Sequence, residues 1–166
     1  MIHRLGSGIE IFLQPGEWYF GDAGTRIRTT LGSCVAFTIW HPTKRLGGMC
    51  HYMLPARGRA ASELDGRYAD EALRLLQREA RRAGTRLKDY EVKLFGGANM
   101  LALKTAAGSV PVRNVATGRA LVEQYGLKVK AECLGGEGYR QLIFDIATGD
   151  VWVRRGGTPN LSNLAS

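Results

Sequence analysis

The chain has 166 residues, 45% of them apolar and 23% charged, with a formal net charge of +8. That is ordinary soluble-domain composition, long enough for one domain burying roughly 68–70% of its unfolded surface. No apolar run approaches the ~18 residues of a membrane-spanning helix. Residues Met1 to Glu10 lack the basic-then-apolar pattern of a secretion signal, so a cytoplasmic protein is expected.

Ile9-Glu10-Ile11-Phe12-Leu13 reads as a first strand, closed by the turn signal Gln14-Pro15-Gly16. The residues before it, His3 included, are expected to fray. Trp18-Tyr19-Phe20 can edge the core. Arg26-Ile27-Arg28-Thr29 alternates and leads into Leu31-Gly32-Ser33-Cys34. Val35-Ala36-Phe37-Thr38-Ile39-Trp40 is β-prone and nearly continuous in apolar character, which predicts a central strand buried on both faces. His41 to Arg45 forms a turn, and Leu46 to Met53 returns as the neighbouring strand, ended by Pro55. Ala56 to Gly66 is a polar loop.

Tyr68 to Ala83 is the clearest helix. Ala69, Ala72, Leu73, Leu76 and Ala80 share one face, and Asp70, Glu71, Arg74, Arg78 and Arg81 cover the other. Gly84 caps its C-terminus. Glu91 to Phe95 is a strand running into Gly96-Gly97. A second helix is expected over 115–125, with Arg113-Asn114 as its cap. Strands follow at Lys128–Leu134, Gln141–Asp145 and Val151–Arg155. The pattern predicts one α/β domain over 1–155, with mixed β-sheet and two main helices packed on it, and a flexible tail over 156–166.

Three cysteines, Cys34, Cys50 and Cys133, are an odd number without an export signal, so free thiols are expected. No zinc-ligand spacing occurs, and no Walker lysine-hydroxyl pair follows Gly96-Gly97 or Gly135-Gly136. No metal or cofactor is therefore expected. Those glycine pairs suit tight turns or close backbone approach beside a site. The charge favours an acidic partner. A nucleic-acid module would rest on charge alone, because no aromatic or helical recognition motif accompanies it.

An isolated cysteine is ordinarily a buried structural thiol. Cys34 differs in its neighbours. Gly32 and Ser33 are small, so a substrate carbonyl can approach, and Gly32 permits a sharp turn whose N–H groups can face an oxyanion. Thiol chemistry also needs a base. His51 is the candidate, because a hairpin of the two strands brings it to the same sheet rim as Cys34. A satisfied core histidine is the plainer alternative. Thr29 and Thr30 lie just upstream, available to orient the imidazole or bond substrate. Cys50 and Cys133 read as core or strand residues.

The ordered set of Leu31-Gly32-Ser33-Cys34-Val35-Ala36, Gly47-Gly48-Met49 with His51, Met53-Leu54-Pro55, Tyr68-Ala69-Asp70, Lys93 to Ala98, Arg113-Asn114 and Leu134-Gly135-Gly136 resembles the CheD family of chemoreceptor glutamine deamidases. The resemblance implies a fold similar to bacterial toxin deamidases. It implies hydrolysis of receptor glutamine side chains to glutamate through a Cys-His thiol mechanism. Family positions map the nucleophile onto Cys34, the histidine onto His51, and a threonine onto Thr29, with Thr30 as the alternative. Gly32, Ser33 and Thr30 would then contact substrate. The partners implied are the cytoplasmic helical region of methyl-accepting chemotaxis receptors and a CheC-type phosphatase. The alternative function is a non-catalytic regulator binding either of them.

Overall fold

A computed structural model describes residues 2–6, 8–59, 62–100, 108–156 and 162–164. In chain order the strands are β1 (Ile2–Leu5), β2 (Gly8–Leu13), β3 (Trp18–Gly21), β4 (Thr25–Leu31), β5 (Val35–His41) and β6 (Leu46–Tyr52). Helix α1 (Ala69–Arg82), a 3-10 turn (Leu87–Asp89), β7 (Glu91–Gly96), helix α2 (Val110–Gln124), β8 (Lys128–Leu134), β9 (Arg140–Asp145), β10 (Val151–Arg155) and β11 (Ser162–Leu164) follow. The strands form two sheets, ordered β1-β2-β4-β9-β10-β11 and β3-β6-β5-β7-β8. Each is mixed: β2 pairs β4 in parallel, and β7 pairs β8 in parallel. This is the α/β architecture the sequence predicts, drawn as two β layers and one helical layer.

The pattern of β5 explains the layering. It lies at the centre of its sheet, between β6 and β7. Val35, Phe37 and Ile39 join a core with Leu73, Leu76 and Leu121 from the helices. Ala36, on the opposite face, joins a second core with Ile11, Ile27, Leu31, Leu142 and Phe144 from the other sheet. A strand covered on both faces has no polar side to show, hence the continuous apolar run. Strand β4 has one wet face and alternates accordingly, with Thr25, Ile27, Thr29 and Leu31 buried and Thr30 exposed.

Helix α1 buries Ala69, Ala72, Leu73, Leu76 and Ala80, the face expected from its spacing. Gly84, at φ +76°, closes it, with its N–H donating to the Arg81 carbonyl. Glu71 departs from the solvated face expected of it. It is buried and accepts hydrogen bonds from Arg57 Nε at 2.8 Å and from the Asp65 N–H at 3.1 Å. An ion pair neutralises its charge where propensity alone sees only a polar residue.

Three further expectations change. The segment around His3 does not fray but pairs with β2 as β1. Helix α2 starts at Val110, with Pro111 inside its first turn, where a missing N–H costs nothing. Asn114 is therefore inside the helix and is not its cap. Of the tail expected over 156–166, Ser162–Leu164 pairs with β10, while 157–161 and 165–166 lie outside the described residues.

Gly96 marks where the fold presses on the residue before β5. Its φ is +110°, and a Cβ there would stand 2.2 Å from the Cys34 carbonyl oxygen. Gly126 also has a positive φ, +63°, but open space around it. Gly126→Ala should therefore cost only the left-handed strain, about 1 kcal/mol. Gly96→Ala should cost more, roughly 2–4 kcal/mol, because the Cys34 backbone must also move. Urea unfolding of the two variants side by side measures the difference.

Candidate functional site

The β5–β6 hairpin pairs Ala36 with His51 and Val35 with Tyr52. Cys34 precedes Ala36 by two residues and lies on the same face, packed against the inter-sheet core. It is thus a diagonal cross-strand neighbour of His51, a relation that typically spans about 7–8 Å between backbones and lies within side-chain reach. Cys34 is partly exposed, whereas His51 is buried. The backbone at Cys34 is pinned by Gly97, whose N–H donates to its carbonyl at 2.8 Å. Gly32 is pinned likewise by the Ala98 N–H at 2.9 Å.

Thr29 reaches the histidine from the other sheet. Its Oγ1 donates to the Leu13 carbonyl at 2.9 Å and sits 2.7 Å from His51 Nδ1. A hydroxyl has one hydrogen, and the Leu13 carbonyl can only accept. Nδ1 must therefore carry a proton and donate to Oγ1. That fixes the neutral tautomer and leaves a lone pair on Nε2. Nε2 is buried and has no hydrogen-bond partner among the described residues. Thr30 projects to the opposite, exposed face of β4, so the structure separates two threonines that adjacent sequence positions cannot distinguish.

Electrostatics favour neutral groups. Burial lowers the His51 pKa to about 4, only partly opposed by the Glu17 carboxylate. Burial raises the Cys34 thiol, with a smaller downward pull from the Ser33 hydroxyl. Both shifts favour a neutral thiol and a neutral imidazole at rest. Cys50 faces the helices, and burial pushes it up to about 12, as an inert core thiol. Cys133 lies on β8, partly buried against the inter-sheet core. Among the described residues, no three His, Cys, Asp or Glu side chains converge as a metal site would need.

Asn114 has a role that its expected place as a helix cap does not show. Fully buried, it donates from Nδ2 to the Ser33 carbonyl at 3.2 Å and the Met53 carbonyl at 2.9 Å. It clasps the strand segments that carry Cys34 and His51 from 81 and 61 residues away. Its place in the Arg113-Asn114 motif draws attention to it, but its bonds to distant carbonyls have no local signal in the sequence. Gly96-Gly97 lies against Cys34 as a close-approach turn, the use expected of it. A Cβ on Gly97 would meet Val115 at 2.2 Å.

The depressed His51 pKa makes stability depend on pH. As pH falls, the unfolded chain protonates this histidine first, near 6.5, while the folded chain resists until about 4. The neutral site's stability is whole above 6.5 and is lost progressively down to 4, on the order of a few kcal/mol. Chemical denaturation of wild type and His51→Gln at pH 7, 5.5 and 4.5 should show the gap between them shift by that amount. Parallel pH profiles would show that His51 does not titrate as a buried group.

The family model described as CheD chemotactic sensory transduction matches residues 53–155. A probable chemoreceptor glutamine deamidase CheD 1 of Chromobacterium violaceum is 49% identical over 152 residues, covering 90% of this chain and 79% of that protein. A probable chemoreceptor glutamine deamidase CheD 3 of Dechloromonas aromatica is 51% identical over 146 residues, 87% of this chain and 86% of the relative. A CheD 1 of Leptospira interrogans, with the same description, is 36% identical over 166 residues, 93% and 98% of the two chains. No helix among the described residues is long and apolar enough to cross a membrane. Identity on this scale, sustained over nearly the full length of both partners, places the chain in the CheD family.

Proposed function

We propose that this chain deamidates selected glutamine side chains of methyl-accepting chemotaxis receptors to glutamate, acting from the cytoplasm with Cys34 as nucleophile and His51 as base. The observation that carries the proposal is the Thr29–His51 hydrogen bond of 2.7 Å, which holds the proton on Nδ1 and leaves Nε2 with a bare lone pair. The relatives' names supply the substrate class.

In this mechanism the reaction starts from neutral groups. Cys34 Sγ attacks the glutamine Cδ while its proton passes to His51 Nε2. Backbone N–H groups of the turn at Cys34 receive the oxyanion. Nε2–H, now on an imidazolium that burial disfavours, protonates the departing amide nitrogen. The C–N bond breaks, ammonia leaves and a γ-glutamyl thioester remains. Water then attacks the thioester carbon as Nε2 takes its proton. The thiol departs with that proton, and glutamate is released. Thr29 orients the ring without adding negative charge beside it.

Mass spectrometry of a receptor cytoplasmic fragment, scoring the conversion of Gln to Glu, tests the assignment. Cys34→Ala should lower the rate by about 10³–10⁶. Thr29→Val should lower kcat on the order of 10–10², with Thr29→Ser restoring much of it. Wild-type turnover in Cys34→Ala would remove the nucleophile assignment and favour a binding regulator.

A resting neutral pair also predicts the reactivity of the free thiol. Iodoacetamide labelling of Cys34, followed by peptide mapping, should rise about tenfold per pH unit between 6 and 8. A flat rate across that range would mean a preformed thiolate–imidazolium pair.

A further inference from the structure

Arg140 is wholly buried, yet among the described residues no carboxylate pairs with it. Its guanidinium donates from Nη2 to the Gly135 carbonyl at 2.6 Å and from Nε to the Cys133 sulfur at 3.2 Å. Nη1 is buried too and has no hydrogen-bond partner among the described residues. A buried cation ordinarily faces an anion, because an isolated charge is costly to take out of water. Here a second cation stands close instead. The point where a Cβ on Gly136 would sit lies 3.6 Å from Arg155 Nη2 and 4.0 Å from Arg140 Nη2. Of the two acceptors that Arg140 holds, a carbonyl and a thiol, only the sulfur can gain a negative charge.

Cys133 is also within reach of solvent. It is partly exposed and sits on β8, the last strand of its sheet. We propose that Cys133 is a modification site, where a peroxide oxidises the sulfur to a sulfenate that Arg140 holds. Cys133 Sγ attacks one peroxide oxygen, and the S–O bond forms as the O–O bond breaks. The departing hydroxide takes the thiol proton and leaves as water. The sulfur is oxidised by two electrons and the peroxide is reduced by two. The guanidinium beside Sγ stabilises the negative charge that the sulfur carries as a nucleophile. The sulfenic acid then gives its proton to water, and its oxyanion supplies the counter-charge that the buried cation lacks. No other thiol resolves it. Cys50 is buried among residues packed on the helices, and β7 lies between β8 and the strand that follows Cys34. Two strand spacings are about 9.5 Å, beyond the roughly 4.4–6.8 Å between Cα atoms that a disulfide spans. The sulfenate therefore persists until an external dithiol reduces it, becoming a disulfide as the oxygen leaves in water. This site is separate from Cys34 and does not depend on the reaction proposed there.

The test uses the full chain and hydrogen peroxide at pH 7. Loss of each free thiol is followed by alkylation and peptide mapping, and dimedone, which traps sulfenic acids, identifies the product. Cys133 in the folded protein should react about tenfold faster than the same residue in urea-unfolded protein, because unfolding exposes the sulfur but takes Arg140 away. Dimedone should mark Cys133, and Cys50 should be spared. Arg140→Met protein that keeps the wild-type circular dichroism spectrum should lose the tenfold advantage. Where that variant does not fold, the comparison of folded with unfolded wild type decides alone. Folded Cys133 that reacts no faster than the unfolded residue overturns the site, since exposure would then account for its reactivity. A folded Arg140→Met protein that reacts like wild type overturns it too. So does a Cys34–Cys133 disulfide in place of the dimedone adduct, because the two thiols would then meet.

Discussion

The hydrogen bond from His51 to Thr29 is the contact on which the site depends. It crosses from one sheet to the other and is itself anchored by the Leu13 carbonyl. Three residues from β2, β4 and β6 thereby fix one proton on one ring nitrogen. Remove the threonine hydroxyl and the imidazole loses its partner inside a buried space, where an unsatisfied polar group costs about 1–3 kcal/mol. Nothing else among the described residues bonds either ring nitrogen. The orientation of the imidazole is thus a property of the packing of two layers, not of the strand that carries it.

The sheet that carries Cys34 and His51 is held just as tightly from the other side. Asn114, on α2, clasps the Ser33 and Met53 carbonyls, and Tyr52 donates its hydroxyl to the Asn114 carbonyl at 2.7 Å. Gly96 and Gly97 lie against the Cys34 backbone without side chains to push it away. The thiol is therefore set on a backbone fixed by bonds from β7 and α2, while its sulfur remains partly exposed. Rigid backbone and accessible sulfur together are what the proposed nucleophile requires.

Much of this was legible in the residues. The unbroken apolar run of β5 announced a strand covered on both faces, and the turn at His41 to Arg45 announced its hairpin partner. Together they placed Cys34 and His51 at one rim. The rest depended on contacts between distant segments. Nothing local distinguishes Thr29 from Thr30; only the pleat of β4, set by what Ile27 and Leu31 bury, turns one inward. Asn114 looked like a cap because asparagine favours caps, and tertiary hydrogen bonds overrode that preference. Glu71 looked solvated because only Arg57, 14 residues away, reveals its pairing. Strand β1 was obscured by its position near the terminus, where ladder bonds to β2 and not composition create order.

The separations along the chain carry a consequence for how activity arises during folding. The bonds that define the site join residues 16, 22, 61 and 81 positions apart. Contacts of such range form late, because loop-closure entropy must be met before they stabilise anything. A partly folded chain could hold its β5–β6 hairpin and still lack an oriented imidazole. On the proposed mechanism the thiol then meets no proton acceptor and stays a weak nucleophile, so an immature molecule would not attack amides indiscriminately. In that mechanism catalytic competence arrives only with the docking of the two sheets, which would make turnover itself a sensitive measure of complete folding.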